Sequence, residues 1–164
     1  MKIHSFTLST ILLTVFLIQQ IESKEMVKKP NVILFLIDDL GWSDLSLTGS
    51  KFHETPNVDR LAREGAFFSD AYAASSVCSP SRASILTGKY PSRIKMTYIS
   101  GTSGPKGPGY RLNAPKIVGN INPKDITLAE ALRSHKYKTV HIGKWHLQNH
   151  TDQGKTHYPE KHGF

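Results

Sequence analysis

The chain has 164 residues and a formal net charge of +8, and 38% of its residues are hydrophobic. That length holds one ordinary domain or a piece of a larger one, and that apolar share excludes a disordered chain. The positive charge gathers in the lysines around Lys24–Lys29 and in the stretch 89–116 without forming a regular basic face; no zinc-finger, RRM-like or helix-turn-helix signature accompanies it, so no nucleic-acid partner is expected.

The first residues form a segment of their own. Lys2 and His4 precede the apolar run Ile11–Ile18, which is followed by Gln19, Gln20 and a small residue, Ser23, where cleavage would fall. The run is well short of the roughly 20 residues that cross a bilayer. Residues 1–23 therefore read as a removable signal peptide and 24–164 as the mature chain. The expected location is the secretory route (extracellular, periplasmic or lysosomal), with no stable membrane insertion. Cys78 is the single cysteine, so it cannot form an internal disulfide and is spare, paired to another chain, or chemically active.

After the polar stretch Lys24–Pro30, the continuous apolar run Asn31–Ile37 suits a strand covered on both faces, ended by Asp38, Asp39 and Gly41. Thr55 and Pro56 then mark a helix start, with the helix running to Glu64 and stopping at Gly65. Residues 66–73 read as a shorter extended segment. Ser79-Pro80 repeats the cap-then-proline signal for a helix through Leu86, closed by Gly88. From Lys89 to Asp125 the chain is rich in glycine, proline and lysine, a loop length that is uncommon and often functional. Thr127-Leu128-Ala129-Glu130 is a capping box for a helix to about His135, and 138–142 reads as another strand. Strands alternating with helices indicate an α/β fold, a mixed and largely parallel sheet flanked by helices. Ligands in such folds lie beyond the carboxyl ends of the strands, where Asp38, Asp39, Lys144 and His146 all fall.

Asp38-Asp39 offers two carboxylates of the kind a hard cation takes, but calcium wants six to eight oxygens and magnesium six, so further ligands are needed. In Ser76-Val77-Cys78-Ser79-Pro80-Ser81-Arg82-Ala83-Ser84-Ile85-Leu86-Thr87-Gly88, the cysteine lies just before a helix whose N–H groups favour an anion, and Arg82 brings a guanidinium to the same turn. That arrangement suits an oxyanion ester such as sulfate or phosphate. A cysteine phosphatase separates its cysteine and arginine by five residues; here only Ser79, Pro80 and Ser81 intervene.

This stretch resembles the first signature of the type I, formylglycine-dependent sulfatases, arylsulfatase-like members of the alkaline-phosphatase superfamily. Cys78-x-Pro80-x-Arg82 is similar to the sequence at which cysteine is oxidised to formylglycine. A second signature is resembled by Tyr137-Lys138-Thr139-Val140-His141-Ile142-Gly143-Lys144-Trp145-His146, except that Lys136 stands where the family has glycine, which leaves the preceding helix in need of another way to stop. Asp38 and Asp39 fall where the family has its first two metal ligands.

The resemblance implies a sulfuric ester hydrolase in which Cys78 becomes a hydrated aldehyde. One diol hydroxyl attacks sulfur and displaces the alcohol; the other loses a proton and expels sulfate. Calcium, with magnesium less favoured, would be held by Asp38, Asp39 and residue 78, and stabilises charge together with Arg82. Lys144 would contact the sulfate, and His146 would hydrogen-bond the diol and take its proton. Implied partners are a sulfated small molecule or glycan and, during maturation, the formylglycine-generating enzyme. His141 reads as packing, and His150, His157 and His162 as loop residues. Asn149-His150-Thr151 is a glycosylation sequon.

The family's remaining ligands, second histidine and second lysine have no counterpart here. The sequence therefore reads as an amino-terminal fragment with little activity alone. Two other readings stand beside this one. A phosphatase or phosphodiesterase of the same superfamily would carry serine or threonine in place of Cys78, and a non-catalytic secreted binder of sulfated glycans would use the basic surface.

Overall fold

The computed structural model describes residues 29–104, 106–149 and 157–164. The signal peptide expected over 1–23 and the sequon residues His150 and Thr151 lie outside them. Among the described residues no helix is long and apolar enough to cross a membrane.

The chain divides into two units, Met1–Leu36 and Ile37–Phe164. In the first, the described stretch 29–36 has no regular secondary structure, and Ile33 and Phe35 stand 88% and 82% exposed. Among its described residues the second holds four α-helices: α1 (Pro56–Glu64), α2 (Cys78–Thr87), α3 (Pro91–Ile94) and α4 (Leu128–Ser134). Single 3₁₀ turns lie at Trp42–Asp44, Ser46–Thr48 and Pro159–Lys161.

The helices form where capping chemistry directs. α1 runs from Pro56 to Glu64 between Thr55 and Gly65, as the sequence indicates. The Thr55 hydroxyl does not cap a helix N–H; it donates to Asp59 Oδ1 at 2.8 Å and accepts from the Ser46 amide at 3.0 Å. α4 has the full capping box: Glu130 N–H donates to Thr127 Oγ1 at 3.2 Å, and Thr127 N–H donates to Glu130 Oε2 at 2.8 Å. It stops without glycine. Lys136 takes the left-handed conformation (φ 65°), its N–H donates to Arg133 O at 2.8 Å and that of Tyr137 to Leu132 O at 3.1 Å. That pair of bonds is a Schellman ending built on a lysine.

Two expectations need correction. α2 begins at Cys78 rather than at Ser79-Pro80, because Val77 is extended and serves as the N-cap. Pro80 is accommodated as the third residue, where an N–H would have no intrahelical acceptor. Among the described residues no strand is assigned over 31–37, 66–73 or 138–142. A strand's N–H and C=O groups must be met by another strand, and no ladder forms here; Val140 and Ile142 are 75% and 91% exposed.

The core is small. Ala83 of α2, Met96, Ile121, Trp145 and Leu147 are buried together, with Leu86, Ile94 and Phe164 packed against them. Fully burying a side chain such as Met96 or Leu147 contributes about 1.5–3 kcal/mol. This core fixes the segment 145–147 against α2, and so sets where the chemistry of both can meet.

Candidate active site

Cys78 and Arg82 are four residues apart on α2 and so share one helix face. The Leu147 and Trp145 side chains, buried in the core, bring residues 144–146 to that face. Sγ of Cys78 lies 3.3 Å from Nδ1 of His146. His146 holds a left-handed backbone (φ 58°) with a side chain other than glycine's, as does Asp39 (φ 56°); such conformations gather at functional sites because the surrounding structure must enforce them.

Arg82 is the hub of the other half. Its Nη2 donates to Asp38 Oδ1 at 2.8 Å, and its Nη1 donates to the Lys144 carbonyl. Lys144 Nζ donates to Asp38 Oδ2, so two cations share one carboxylate. The Arg82 guanidinium first, and the Lys144 ammonium second, hold the Asp38 carboxyl down at about 2. Asp38 in turn raises Lys144 above its usual range. Both Asp38 and Lys144 stay charged at neutral pH. The Arg82 side chain is 11% exposed and that of Asp38 33%, so the pair is screened by water mainly on the carboxylate side.

Of the residues singled out in the sequence, Asp38, Arg82 and Lys144 are thus joined by direct bonds, as are Cys78 and His146. Asp39 follows Asp38 on the exposed surface. Among the described residues no three His, Cys, Asp or Glu side chains gather as a ligand set. An ionised carboxylate has about four lone-pair sites, and Arg82 and Lys144 use only two of those on Asp38, so its remaining acceptor capacity is of the kind a hard cation takes.

His141 packs edge-on against Trp145 and Phe164, with ring centroids 5.3 and 5.4 Å apart, as expected of a packing residue. Burial, reinforced by the nearby Arg82 charge, lowers its pKa. His162 lies in a turn, as expected of a loop residue, and it is also buried. Its ring stacks with that of His157 at 6.1 Å and lies 5.8 Å from that of Trp145. An open depression of about 600 Å³ next to His146 is lined by His141, Trp145, Tyr158, Glu160 and Phe164, among others. Sequence reasoning also missed the pairing of Lys89 Nζ with Asp125 Oδ1, which joins the two ends of the long loop. Lone charges in a loop carry no periodic signal of their partners.

The Sulfatase family model matches residues 30–164, the whole of the site included. The chain belongs to the sulfatase family. This sulfatase chain is 44% identical over 135 residues to N-acetylgalactosamine-6-sulfatase of Sus scrofa, covering 82% of this chain and 24% of that one. Arylsulfatase G of Mus musculus is 38% identical over 144 residues, covering 88% and 24%. Among solved structures, the one titled "Crystal structure of Ps i-CgsB" is alike with a TM-score of 0.67 at 36% identity, over 84% of this chain and 27% of that one. This sulfatase chain thus spans about a quarter of the length of the curated relatives it matches.

Proposed function

We propose that this chain is the nucleophile-bearing portion of a sulfuric ester hydrolase in which Cys78 is converted to formylglycine, and in which Asp38, Asp39 and residue 78 hold calcium in preference to magnesium. The observation that carries this reading is a contact pattern: Sγ of Cys78 lies 3.3 Å from Nδ1 of His146, while Asp38 is bonded to both Arg82 and Lys144 nearby. Family membership supports the reaction class.

When bound, calcium supplies positive charge beside the nucleophile, and the hydrated aldehyde supplies an oxygen nucleophile in place of the thiol. The chain's own residues do the rest. The Arg82 guanidinium and Lys144 ammonium orient the sulfate group and offset charge that develops on its oxygens. Asp38 keeps those two cations aligned. His146, in contact with position 78, holds or accepts a proton at Nδ1, a role an imidazole can fill. The N-terminal turn of α2 adds unsatisfied N–H groups and the positive end of its dipole at residue 78.

The substrate would be a sulfated small molecule or glycan, in keeping with relatives named N-acetylgalactosamine-6-sulfatase and steryl-sulfatase. Maturation would require the formylglycine-generating enzyme as a partner, on the secretory route. The extended segments 31–37 and 138–142 would each become a strand of a mixed, largely parallel sheet once neighbouring strands are present. Because the two carboxylates fill only part of a cation shell, this stretch alone would turn over little substrate.

Mass spectrometry of the peptide containing Cys78, from a host with the oxidising machinery, tests the proposal. The expected result is the aldehyde, together with hydrolysis of an aryl sulfate by a full-length protein and little by the 164-residue polypeptide. An intact thiol in a full-length protein that still cleaves sulfate esters would overturn it.

A further inference from the structure

Ser100 lies in the long irregular span between α3 and α4, yet it is 1% exposed. Its N–H donates to the hydroxyl of Ser79 at 2.9 Å. Ser79 is fully buried and directly follows Cys78 in the first turn of α2. The Ser100 hydroxyl shares its one proton between the carbonyls of Gln148, at 2.7 Å, and Gly119. Gln148 is two residues beyond His146, with Leu147 of the core between them. One buried residue therefore touches the turn that carries the nucleophile, the segment that carries His146, and the returning limb of the loop. Two other bonds run alongside: the Asn149 amide to Asn120 Oδ1, and Val118 N–H to Lys95 O at 2.8 Å.

We infer that Ser100 is a positioning residue, holding the 146–148 segment against the first turn of α2 so that the imidazole of His146 stays in register with the side chain at position 78. Serine suits the place for a plain reason. The buried Ser79 hydroxyl needs a donor and the half-buried carbonyls of Gly119 and Gln148 need another, and a backbone N–H plus a short hydroxyl on one residue meets both without filling extra space. The Gly119 limb shares the same anchor, so the loop that frames the site is fixed by the residue that aligns the chemistry.

For turnover the inference rests on the sulfatase reading above, so the test has one arm with substrate and one without. In full-length protein, Ser100→Ala keeps aldehyde occupancy at position 78, measured by mass, but lowers kcat on a small aryl sulfate about tenfold while KM moves less than twofold. In protein made without the oxidising machinery, the rate at which iodoacetamide alkylates Cys78 changes at least threefold in Ser100→Ala, each rate being divided by that of the denatured chain; the surface control Ser69→Ala leaves it unchanged. Should Ser100→Ala fail to fold, Ser79→Ala removes the acceptor of the Ser100 amide and is read in the same two ways. A kcat per folded, aldehyde-bearing molecule within twofold of the parent, together with unchanged alkylation, overturns the inference. If the parent does not hydrolyse the ester at all but Ser100→Ala still alters alkylation, the proposed reaction fails and the positioning role stands.

Discussion

α2 and the segment 138–142 are both read clearly from the sequence, yet only α2 takes the regular form its sequence indicates. A helix answers its backbone N–H and C=O groups within its own span, so an early proline and a closing Gly88 suffice to mark it. A strand is answered only by a second strand. Residues 138–142 have the right composition and no ladder, and Ile142 is left almost bare to solvent. Local signals foretell an element whose bonds are local; for a strand they foretell only a readiness to pair.

The sharpest way to break this contrast is to remove the tie between α2 and the chain that follows the segment. Arg82→Ala should cost about 2–3 kcal/mol in urea unfolding, below the 3–5 of a fully buried pair because a third of Asp38 meets water. On the proposed reaction it should also abolish sulfate hydrolysis by a full-length protein. Thr127→Ala removes the capping box of α4 and a 2.7 Å bond to the His162 carbonyl. A loss of about 1–2 kcal/mol is expected by the same measurement.

The next effect depends on pH. Burial lowers the pKa of His162 from its ordinary 6.5, so the unfolded chain binds a proton there before the folded one does. The contribution of the neutral ring is whole above pH 6.5 and declines as pH falls below it, by at most about 1.4 kcal/mol per pH unit for one group. His162→Phe should flatten that slope, and titration of the unfolding midpoint between pH 7 and 5 checks it. Asp38 acts in a separate window: its ionised form stabilises above the ordinary 3.8 and is lost as pH falls toward about 2. The smallest expected change is a gain. Lys136→Gly relieves a left-handed lysine and should add about 0.5–1 kcal/mol, seen as a raised midpoint in thermal melts.

What was legible in the sequence follows the same division. The ends of α1 and α4 were readable because Thr55, Pro56, Gly65, Thr127 and Glu130 act on their own neighbours. The start of α2 was misplaced because Ser79-Pro80 imitates a cap, whereas Val77 caps by backbone conformation alone, which no side chain announces. In the site, the residues within motifs, Cys78, Arg82, Lys144 and His146, came together in two bonded groups. The exchange of both Asp38 oxygens with Arg82 and Lys144 could not be read, since it joins residues far apart in the chain. Ser100 and His162 were invisible for a related reason: a serine in a glycine-rich loop, or a histidine near a turn, reveals nothing of its burial until the rest of the chain has folded over it.

The Lys89–Asp125 bridge has a consequence for how such a protein can diversify. It clamps the two feet of the long span, so the outer part of that span, away from the core residues Met96 and Ile121 and the anchor Ser100, can change length without moving the feet. Closing a flexible loop costs more only as the logarithm of its length, about 0.6 kcal/mol for each doubling. Insertions, deletions or wholesale exchange of the outer part of that span can therefore accumulate cheaply, provided the salt-bridged feet and the buried inner anchor remain.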